Sequence, residues 1–275
     1  MRVLITNDDG IESSGLRSLA DMARHRGHEV LVAAPCWDAS GASSSVTGVS
    51  QFGKVVTEPR TWPGWAEGSI LAVDATPALI SLYALQEKFG PRPDVVLSGI
   101  NRGANTGRAI LHSGTVGAAF TAFQHGCPAL AVSSAVLDMA GSSEVHWTTA
   151  SEVAGRIFDW LVDDMRSVVL NCNVPNVPLE DLLGLRVGRL ALVGASQTSV
   201  IEESGESLSL TLGGEDESIE VESDAALVQR GYACVTALLP VVEDPRLDLT
   251  AAVGHLVLGA ERSNANQPGT APVAM

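Results

Sequence analysis

The chain has 275 residues, of which 45% are apolar and only 4% aromatic, and its formal net charge is −15. This length fits one large domain or one domain with an appendage, and the core must be built mainly from Val, Leu, Ile and Ala. So acidic a chain is not expected to bind nucleic acid, whose phosphate backbone repels it. An anionic small substrate is still compatible with this charge if a metal ion inverts the local field.

The cysteines and the apolar runs indicate the compartment. No CxxC pair occurs among the four cysteines, which favours free thiols in a reducing compartment over a zinc site or a disulfide framework. Acidic residues follow the first apolar run at once, so a secretory signal peptide is not expected. No apolar run reaches transmembrane length. We therefore expect a cytoplasmic protein without a membrane partner. The cysteines are Cys36, Cys127, Cys172 and Cys234.

The first part of the chain alternates predicted strands and helices. Residues 2–6 form a predicted buried strand, 15–26 a helix with apolar residues at helical spacing, and 28–35 a second strand. A strand, a helix and a strand joined by short loops indicate a βαβ unit and a parallel sheet. Further strands are predicted at 94–100, 128–134 and 167–174, and further helices at 76–85, 116–124 and 152–165.

The pattern changes after residue 185. Residues 207–212 and 218–222 each alternate apolar and polar side chains, which predicts an antiparallel hairpin with one solvent-facing side. The fold class expected is therefore α/β, with a mostly parallel sheet and a small C-terminal β-hairpin appendage. The expected division is a core over 1–185, a β-rich appendage over 186–245, a C-terminal segment over 246–262 and a disordered tail over 263–275.

Four polar loops lie at the predicted carboxyl edge of the sheet, where open α/β sheets bind ligands. Asp8 and Asp9 offer anionic oxygens at this edge, and Ser40 and Asn101 offer neutral ones. Oxygen donors of this kind suit Mg²⁺ or Mn²⁺, whereas no His/Cys cluster favours zinc. Asp-Asp-Gly is also common in plain turns, so the carboxylate pair alone leaves both interpretations open.

The same loops carry candidate phosphate donors. Ser43 lies in a Ser-Gly-rich loop, and residues 113–115 begin a predicted helix, where free N–H groups and the helix dipole favour an anion. A metal beside a phosphate site indicates phosphomonoester hydrolysis, because the metal polarises the phosphoryl oxygen and acidifies water. His112 could protonate the leaving alkoxide or be a structural imidazole. Arg102 could neutralise phosphate or form an ion pair.

These motifs together resemble those of the SurE family of metal-dependent nucleotidases and acid phosphatases. The resemblance covers residues 1–176. It rests on Asn7-Asp8-Asp9-Gly10-Ile11, Ala34-Pro35, Ser40 to Thr47, Ser98 to Asn105, His112 to Ala119, Ala131 to Ser134, and Leu170 to Pro175, in this order.

The resemblance implies a Rossmann-like three-layer core, one Mn²⁺ or Mg²⁺ ion, and hydrolysis of nucleoside 5′-monophosphates, with 3′-monophosphates as a further substrate class. It implies dimers or tetramers built through exchanged C-terminal elements, and Asp224 to Tyr232 is similar to a late family segment that precedes a final strand at 233–239. Attack by water and a covalent phosphoaspartate on Asp8 both remain open as mechanisms. The implied metal ligands are Asp8, Asp9, Ser40 and Asn101, and the implied phosphate pocket contains Asn105, Ser113, Gly114 and Thr115.

Some positions depart from the family pattern. Cys36 stands where the family usually has Asp, and Ala75 to Ile80 lacks the usual Asp and Cys. Residues 200–225 are acidic, and the only tyrosines are Tyr83 and Tyr232, although base stacking normally uses aromatic faces. Two alternatives therefore stay open: a phosphatase for a different small phosphomonoester, and a non-catalytic nucleotide- or metal-binding homologue. A Rossmann dinucleotide enzyme is not expected, because no GxGxxG follows the first strand.

Overall fold

A nine-stranded sheet forms the centre of the protein, as seen in a computed structural model that describes residues 1–48, 54–136, 144–192, 198–203, 207–212 and 220–242. The order across this sheet is β3-β4-β2-β1-β5-β6-β7-β11-β8, and β9 and β10 form a separate two-stranded sheet. The strands in chain order are β1 (Arg2–Thr6), β2 (Glu29–Pro35), β3 (Thr57–Pro59), β4 (Ile70–Val73), β5 (Val95–Arg102), β6 (Ala129–Ala135), β7 (Val169–Pro175), β8 (Leu185–Val187), β9 (Thr198–Glu203), β10 (Ser207–Leu212) and β11 (Ala233–Leu238).

Four of the helices confirm the elements predicted from apolar periodicity, and all but one of them start within two residues of the predicted position. The fourth helix begins at Trp147 rather than at residue 152, because its first turn is held by contacts distant in sequence. The Thr149 hydroxyl donates to the carbonyl of Val177 over 2.8 Å. The helices are α1 (Ser14–His25), α2 (Pro77–Leu85), α3 (Gly114–Gln124), α4 (Trp147–Asp164) and α5 (Asp224–Gln229), with 3₁₀ turns at Gly107–His112 and Leu179–Asp181.

The centre of the sheet is parallel, as the βαβ pattern predicted. β1 pairs in parallel with β2 and β5, and β5, β6 and β7 continue in the same direction. The two antiparallel pairings lie further out, between β3 and β4 and between β7 and β11. Because parallel strands end at one edge of a sheet, the loops that follow β1, β2, β5 and β6 emerge together there.

Helices cover both faces of the sheet and make three layers. Neighbouring side chains of β1 point to opposite faces, so Ile5 packs in one core cluster and Leu4 in the other. The Ile5 cluster includes Leu16 of α1 and Phe158 of α4, whereas the Leu4 cluster includes residues of α2 and α3, such as Ile80. Both clusters are built mainly from aliphatic side chains, as the low aromatic content required. This architecture confirms the predicted α/β class.

The β-hairpin exists, but the prediction of its second strand was wrong. β10 pairs antiparallel with β9, in the register Ser207↔Glu203 to Leu212↔Thr198, and the described part of the predicted partner, residues 220–222, is not in a strand. Residues 220–222 lead through a turn into α5, and 218 and 219 lie outside the described residues. Alternation indicates a strand with one wet face, but it does not identify the partner strand.

The end of the chain adds strands to the main sheet. The predicted final strand is confirmed as β11, and β8 pairs with it in parallel. Both strands belong to the compact unit Met1–Leu239; a second unit, Pro240–Met275, is described only at residues 240–242. The predicted segment 246–262 and the predicted disordered tail 263–275 lie outside the described residues. Within the described parts of the chain, no helix is long and apolar enough to cross a membrane.

Candidate metal and phosphate site

The loop after β1 places two carboxylates at the carboxyl edge of the sheet. Asp8 is only 3% exposed, and Asp9 is partly buried beside it. The turn closes at Gly10, whose φ of +95° favours glycine. The backbone N–H of Ala39 donates to the carbonyl of Asp8 over 2.7 Å, so the loop that carries Ser40 lies against the carboxylate pair.

Asp8 also faces the start of α3. The Thr115 hydroxyl donates to Asp8 Oδ1 in a short hydrogen bond. A Cβ atom on Gly114 would lie 2.8 Å from Asp8 Oδ2 and 2.9 Å from its Cβ, so this close approach requires glycine. Burial raises the pKa of Asp8 above its ordinary value. The hydrogen bond from the Thr115 hydroxyl and those from nearby backbone N–H groups partly oppose this shift.

Asp9 is destabilised as an anion by its surroundings. Burial, and next the charge of Asp8, raise the pKa of Asp9 to about 7, although the backbone N–H of Arg102 donates to Asp9 Oδ2 over 3.3 Å. The side-chain oxygen of the buried Asn7 nearby has no hydrogen-bond partner in the described structure. A cation near these oxygens would relieve the repulsion between the two carboxylates.

The two neutral candidate ligands lie in the loops that flank the carboxylates. Ser40 is exposed, and its hydroxyl donates to Asp38 Oδ1 over 2.5 Å, which leaves the hydroxyl oxygen as an acceptor. The Asn101 amide donates over 2.7 Å to the carbonyl of Gly103, which leaves its side-chain oxygen available.

The candidate donor set contains only oxygen, which suits Mg²⁺ or Mn²⁺. Among the described residues, no group of three or more His, Cys, Asp or Glu side chains could hold a metal ion. A metal site here would therefore depend on Asp8 and Asp9 together with neutral oxygens, and such a donor set fits a hard cation better than zinc.

The candidate phosphate residues lie at the start of α3 and in the loop that packs on it. Ser113 is the N-cap of α3, and its hydroxyl accepts from the N–H of Val116 over 3.1 Å. The Ser43 hydroxyl donates over 2.6 Å to the carbonyl of Leu111. The Thr115 hydroxyl donates to Asp8, and the backbone N–H groups of Thr115 and Gly114 also hydrogen-bond the Asp8 carboxylate. His112 is exposed at the end of the 3₁₀ turn that precedes α3.

Asn105 is held by a buried amide network that the sequence did not reveal. Its backbone N–H donates to Asn173 Oδ1 over 2.7 Å, and its carbonyl accepts from the side-chain amides of Asn173 and Asn171, each over 2.8 Å. Its own side chain donates to the hydroxyl of Ser133 over 2.9 Å. Asn171, Asn173 and Ser133 are fully buried. The available signal was two asparagines at alternate positions of an otherwise apolar strand, since a buried amide requires partners.

Replacing Asn173 should release Asn105. In Asn173→Ala, the N–H and the carbonyl of Asn105 each lose a buried partner, so we expect a loss of about 2–4 kcal/mol in unfolding free energy. Urea denaturation measures this loss. Asn176→Ala is the matched control, because the hydrogen bonds of the Asn176 side chain within the described structure go to the backbone of 144 and 146 and not to Asn105. An equal loss in both variants would contradict a specific role for Asn173.

Arg102 lies beside the carboxylates without an ion pair. No carboxylate within 4.0 Å of its guanidinium is found among the described residues, and its buried Nη2 has no hydrogen-bond partner there. Arg102 therefore forms no direct ion pair in the described structure, although its charge lowers the pKa of the nearby Asp9. The interpretation as a phosphate-neutralising group stays a prediction.

The segments that depart from the family pattern are parts of the fold. Cys36 is exposed after β2, and its thiol lies 4.0 Å from Asp74 Oδ1. In the segment 75–80, Thr76 donates its hydroxyl to the carbonyl of Ser45 and so anchors the Ser-Gly-rich loop to α2. Leu79 and Ile80 are buried in the core. These departures leave all the candidate metal ligands in place.

Comparisons with known proteins agree with the architecture and with the motifs. A family model described as "Survival protein SurE" matches residues 3–197. A 5′/3′-nucleotidase SurE of Edwardsiella ictaluri is 36% identical over 256 residues, which cover 91% of this chain and 92% of that protein. A 5′-nucleotidase SurE of Xanthomonas euvesicatoria pv. vesicatoria is 39% identical over 192 residues, or 69% of this chain and 70% of that protein. The crystal structure of the SurE protein from Aquifex aeolicus matches with a TM-score of 0.73 and 25% identity, covering 93% of this chain and 99% of that one.

Proposed function

The chain belongs to the SurE family, and we propose that it is a metal-dependent nucleotidase that hydrolyses nucleoside 5′- and 3′-monophosphates to nucleoside and phosphate. The observation that carries the proposal is the carboxylate pair of the buried Asp8 and the partly buried Asp9, of which Asp8 lies against the start of α3. A site for a cation and a site for an anion are thus adjacent, as phosphomonoester hydrolysis requires.

In this proposal Asp8, Asp9, Ser40 and Asn101 hold one divalent ion, Mn²⁺ or Mg²⁺. Such an ion supplies Lewis-acid polarisation of the phosphoryl group and acidifies water. Asp8 is oriented by the Thr115 hydroxyl, and Asp9 by the backbone N–H of Arg102. These contacts fix both carboxylates before a ligand arrives, which reduces the cost of ordering the site.

The substrate phosphate lies at the amino end of α3. Ser113, Gly114 and Thr115 line this anion site, and the helix dipole favours the charge of the phosphate, while the N–H groups of Gly114 and Thr115 also point toward the carboxylate of Asp8. Asn105 and Ser43 contact the phosphate from the flanking loops, and the fixed backbone of Asn105 supports this role. The exposed His112 donates a proton to the leaving alkoxide.

We also propose that the protein is cytoplasmic and forms a homo-oligomer. Free cysteines in the described structure support a reducing, cytoplasmic environment. Membership of the family supports a homodimer or homotetramer, and the exposed β8 edge, where Val187 is 82% exposed, offers a surface for subunit contact.

Phosphate release in the presence and absence of metal tests the proposed function. The substrates are AMP, GMP, 3′-AMP and a simple aryl phosphate, each with Mn²⁺, Mg²⁺ or EDTA. We expect release from nucleotides that falls about 100-fold or more in EDTA and returns when metal is added, because the metal supplies several kcal/mol of transition-state stabilisation.

The other outcomes separate the alternatives. Metal-dependent release from the aryl phosphate, with nucleotides no better, would indicate a different phosphomonoester as substrate. The engagement of both tyrosines elsewhere favours this as the second candidate: Tyr83 packs on Phe89 with ring centroids 6.2 Å apart, and the guanidinium of Arg186 lies 5.0 Å from the ring centroid of Tyr232. A folded protein without release from any substrate would contradict catalysis and indicate a binding homologue.

A further inference from the structure

The carboxylate of Asp224 joins three segments that are far apart in sequence. Asp224 is the first residue of α5 and is fully buried. Its Oδ2 accepts from the backbone N–H of Gly107 over 2.8 Å. Its Oδ1 accepts from the N–H groups of Ala191 and Ala225, over 2.9 Å and 2.8 Å. Burying a carboxylate costs free energy even when three N–H groups donate to it, and Asp224 has no role in the proposed chemistry.

The Gly107 contact lies within the candidate phosphate site. Gly107 begins the 3₁₀ turn that ends at His112, directly before Ser113, and it follows Asn105 by two residues. Its φ of +59° favours glycine, so the turn is sharp at this residue. The next residue, Arg108, donates its N–H to the carbonyl of Ala191 over 3.2 Å. Two successive N–H groups of the turn, those of Gly107 and Arg108, therefore donate to residues much later in the chain.

Two anchors thus determine where this part of the phosphate site lies. Asn173 fixes the backbone of Asn105 from β7, and Asp224 fixes Gly107 from α5. Without the second anchor, the N–H of Gly107 would be left buried and unpaired, and the turn would have to shift to find water. A shift of this turn moves Asn105 relative to Ser113.

We propose that Asp224 is a positioning residue that sets the Asn105–Ser113 segment for binding of the substrate phosphate. This inference rests on the proposed function. Asp224 touches neither substrate nor metal; it acts through Gly107. Helix α5 and the Asn105–Ser113 segment are therefore linked, so that a change at α5 alters phosphate binding.

Asp224→Asn tests the contact with almost no change in shape. One amide oxygen can still accept from Ala191 and Ala225, but the amide NH₂ would face the N–H of Gly107, donor against donor. We expect KM for AMP and the inhibition constant of inorganic phosphate to rise about 10-fold, which corresponds to one lost hydrogen bond. We expect kcat and the metal concentration for half-maximal activity to change less than about 2-fold, because Gly107 does not contact the carboxylate pair.

Ser223→Ala is the matched control. The Ser223 hydroxyl accepts from the N–H of Ala226 over 3.3 Å and caps the same helix, but it does not contact Gly107. This variant should lose stability without a change in KM. Amide hydrogen exchange gives a readout that needs no activity: peptides over residues 105–113 should exchange about 10-fold faster in Asp224→Asn and unchanged in Ser223→Ala.

Each outcome decides the inference. Unchanged KM and unchanged exchange in Asp224→Asn would overturn it, and so would equal effects in both variants, which would indicate a purely structural role of α5. If the wild-type protein releases no phosphate, the proposed function is wrong, and phosphate binding alone then decides the inference. Slower exchange over residues 105–113 on addition of inorganic phosphate, lost in Asp224→Asn, would support it, and no such protection in the wild type would overturn it. If Asp224→Asn does not fold, Asp224→Ser, which fits the space and cannot reach Gly107, undergoes the same measurements.

Discussion

Asp9→Asn is expected to abolish catalysis while making the metal-free protein more stable. The activity should fall about 1,000-fold or more, because one of the two anionic ligands is lost. The metal-dependent rise in Tm should disappear with it, since that rise reports binding to the folded state. In EDTA the variant should gain about 1–2 kcal/mol in unfolding free energy at pH 7.5, because a partly buried anion next to Asp8 has been removed.

The gain in stability has a defined pH dependence. The pKa of Asp9 is raised to about 7, above its ordinary value of 3.8, so the folded protein holds this proton more tightly than the unfolded chain does. The contribution of Asp9 is therefore most favourable below pH 4 and is lost as the pH rises to 7. The difference between variant and wild type should grow over this window and stay constant above it. Urea denaturation in EDTA at pH 4, 5.5 and 7.5 measures it.

Asp163→Asn is the control for this experiment. Asp163 also belongs to an Asp-Asp pair, but it is exposed near the end of α4, and its neighbour Asp164 forms an ion pair of 2.6 Å with Arg166. Its replacement should change neither activity nor the pH dependence. A metal-free Asp9→Asn protein that is less stable than wild type at pH 7.5 would show that the carboxylate pair is not strained by charge.

Local sequence pattern was sufficient for the elements that bury apolar side chains continuously. β1, β5 and β7 are short apolar runs between turn residues, and such runs specify buried parallel strands with little dependence on their neighbours. The same pattern placed the polar loops at one edge, because the direction of parallel strands determines where their ends lie. The neighbourhood of Asp8, Ser40 and Thr115 was therefore predictable before any contact was known.

The remaining features depend on pairings between distant residues. α4 begins at Trp147 because Thr149 and the N–H of His146 have partners beyond β7, whereas local propensity favours a later start. β10 pairs with β9 rather than with 218–222, because alternation fixes the face of a strand and not its neighbour.

Buried polar residues are the least predictable from sequence. Nothing in the sequence shows which groups Asn173 and Asp224 contact. Their structural role follows from the backbone N–H groups of Asn105 and Gly107, which donate to them. A buried polar group indicates that partners exist without saying which they are. Sequence could therefore identify candidate substrate-binding residues, but not the residues that hold them in place.

The contact between α3 and the Ser-Gly-rich loop leads to the second large expected effect. A Cβ atom on Gly117 would overlap the carbonyl of Ser43 and lie 2.8 Å from the backbone nitrogen of Ser44. Backbone atoms cannot rotate away as a side chain does, so Gly117→Ala must push the loop off the helix. We expect a loss of about 2–3 kcal/mol in unfolding free energy. Because Ser40 and Ser43 lie in this loop, kcat/KM should also fall about 100-fold.

Gly155→Ala distinguishes this loop contact from the general effect of a methyl group in a helix. Gly155 also lies inside a helix, α4, and the three atoms nearest to its added Cβ would all belong to the guanidinium of Arg26. That group can swing into solvent at the cost of its partly exposed ion pair of 3.0 Å with Asp159. Alanine is also better than glycine inside a helix by about 1 kcal/mol, so Gly155→Ala should be neutral or slightly stabilising and fully active. If both variants lose stability equally, or if Gly117→Ala keeps wild-type kcat/KM, then the packing of α3 against Ser43 does not position the site.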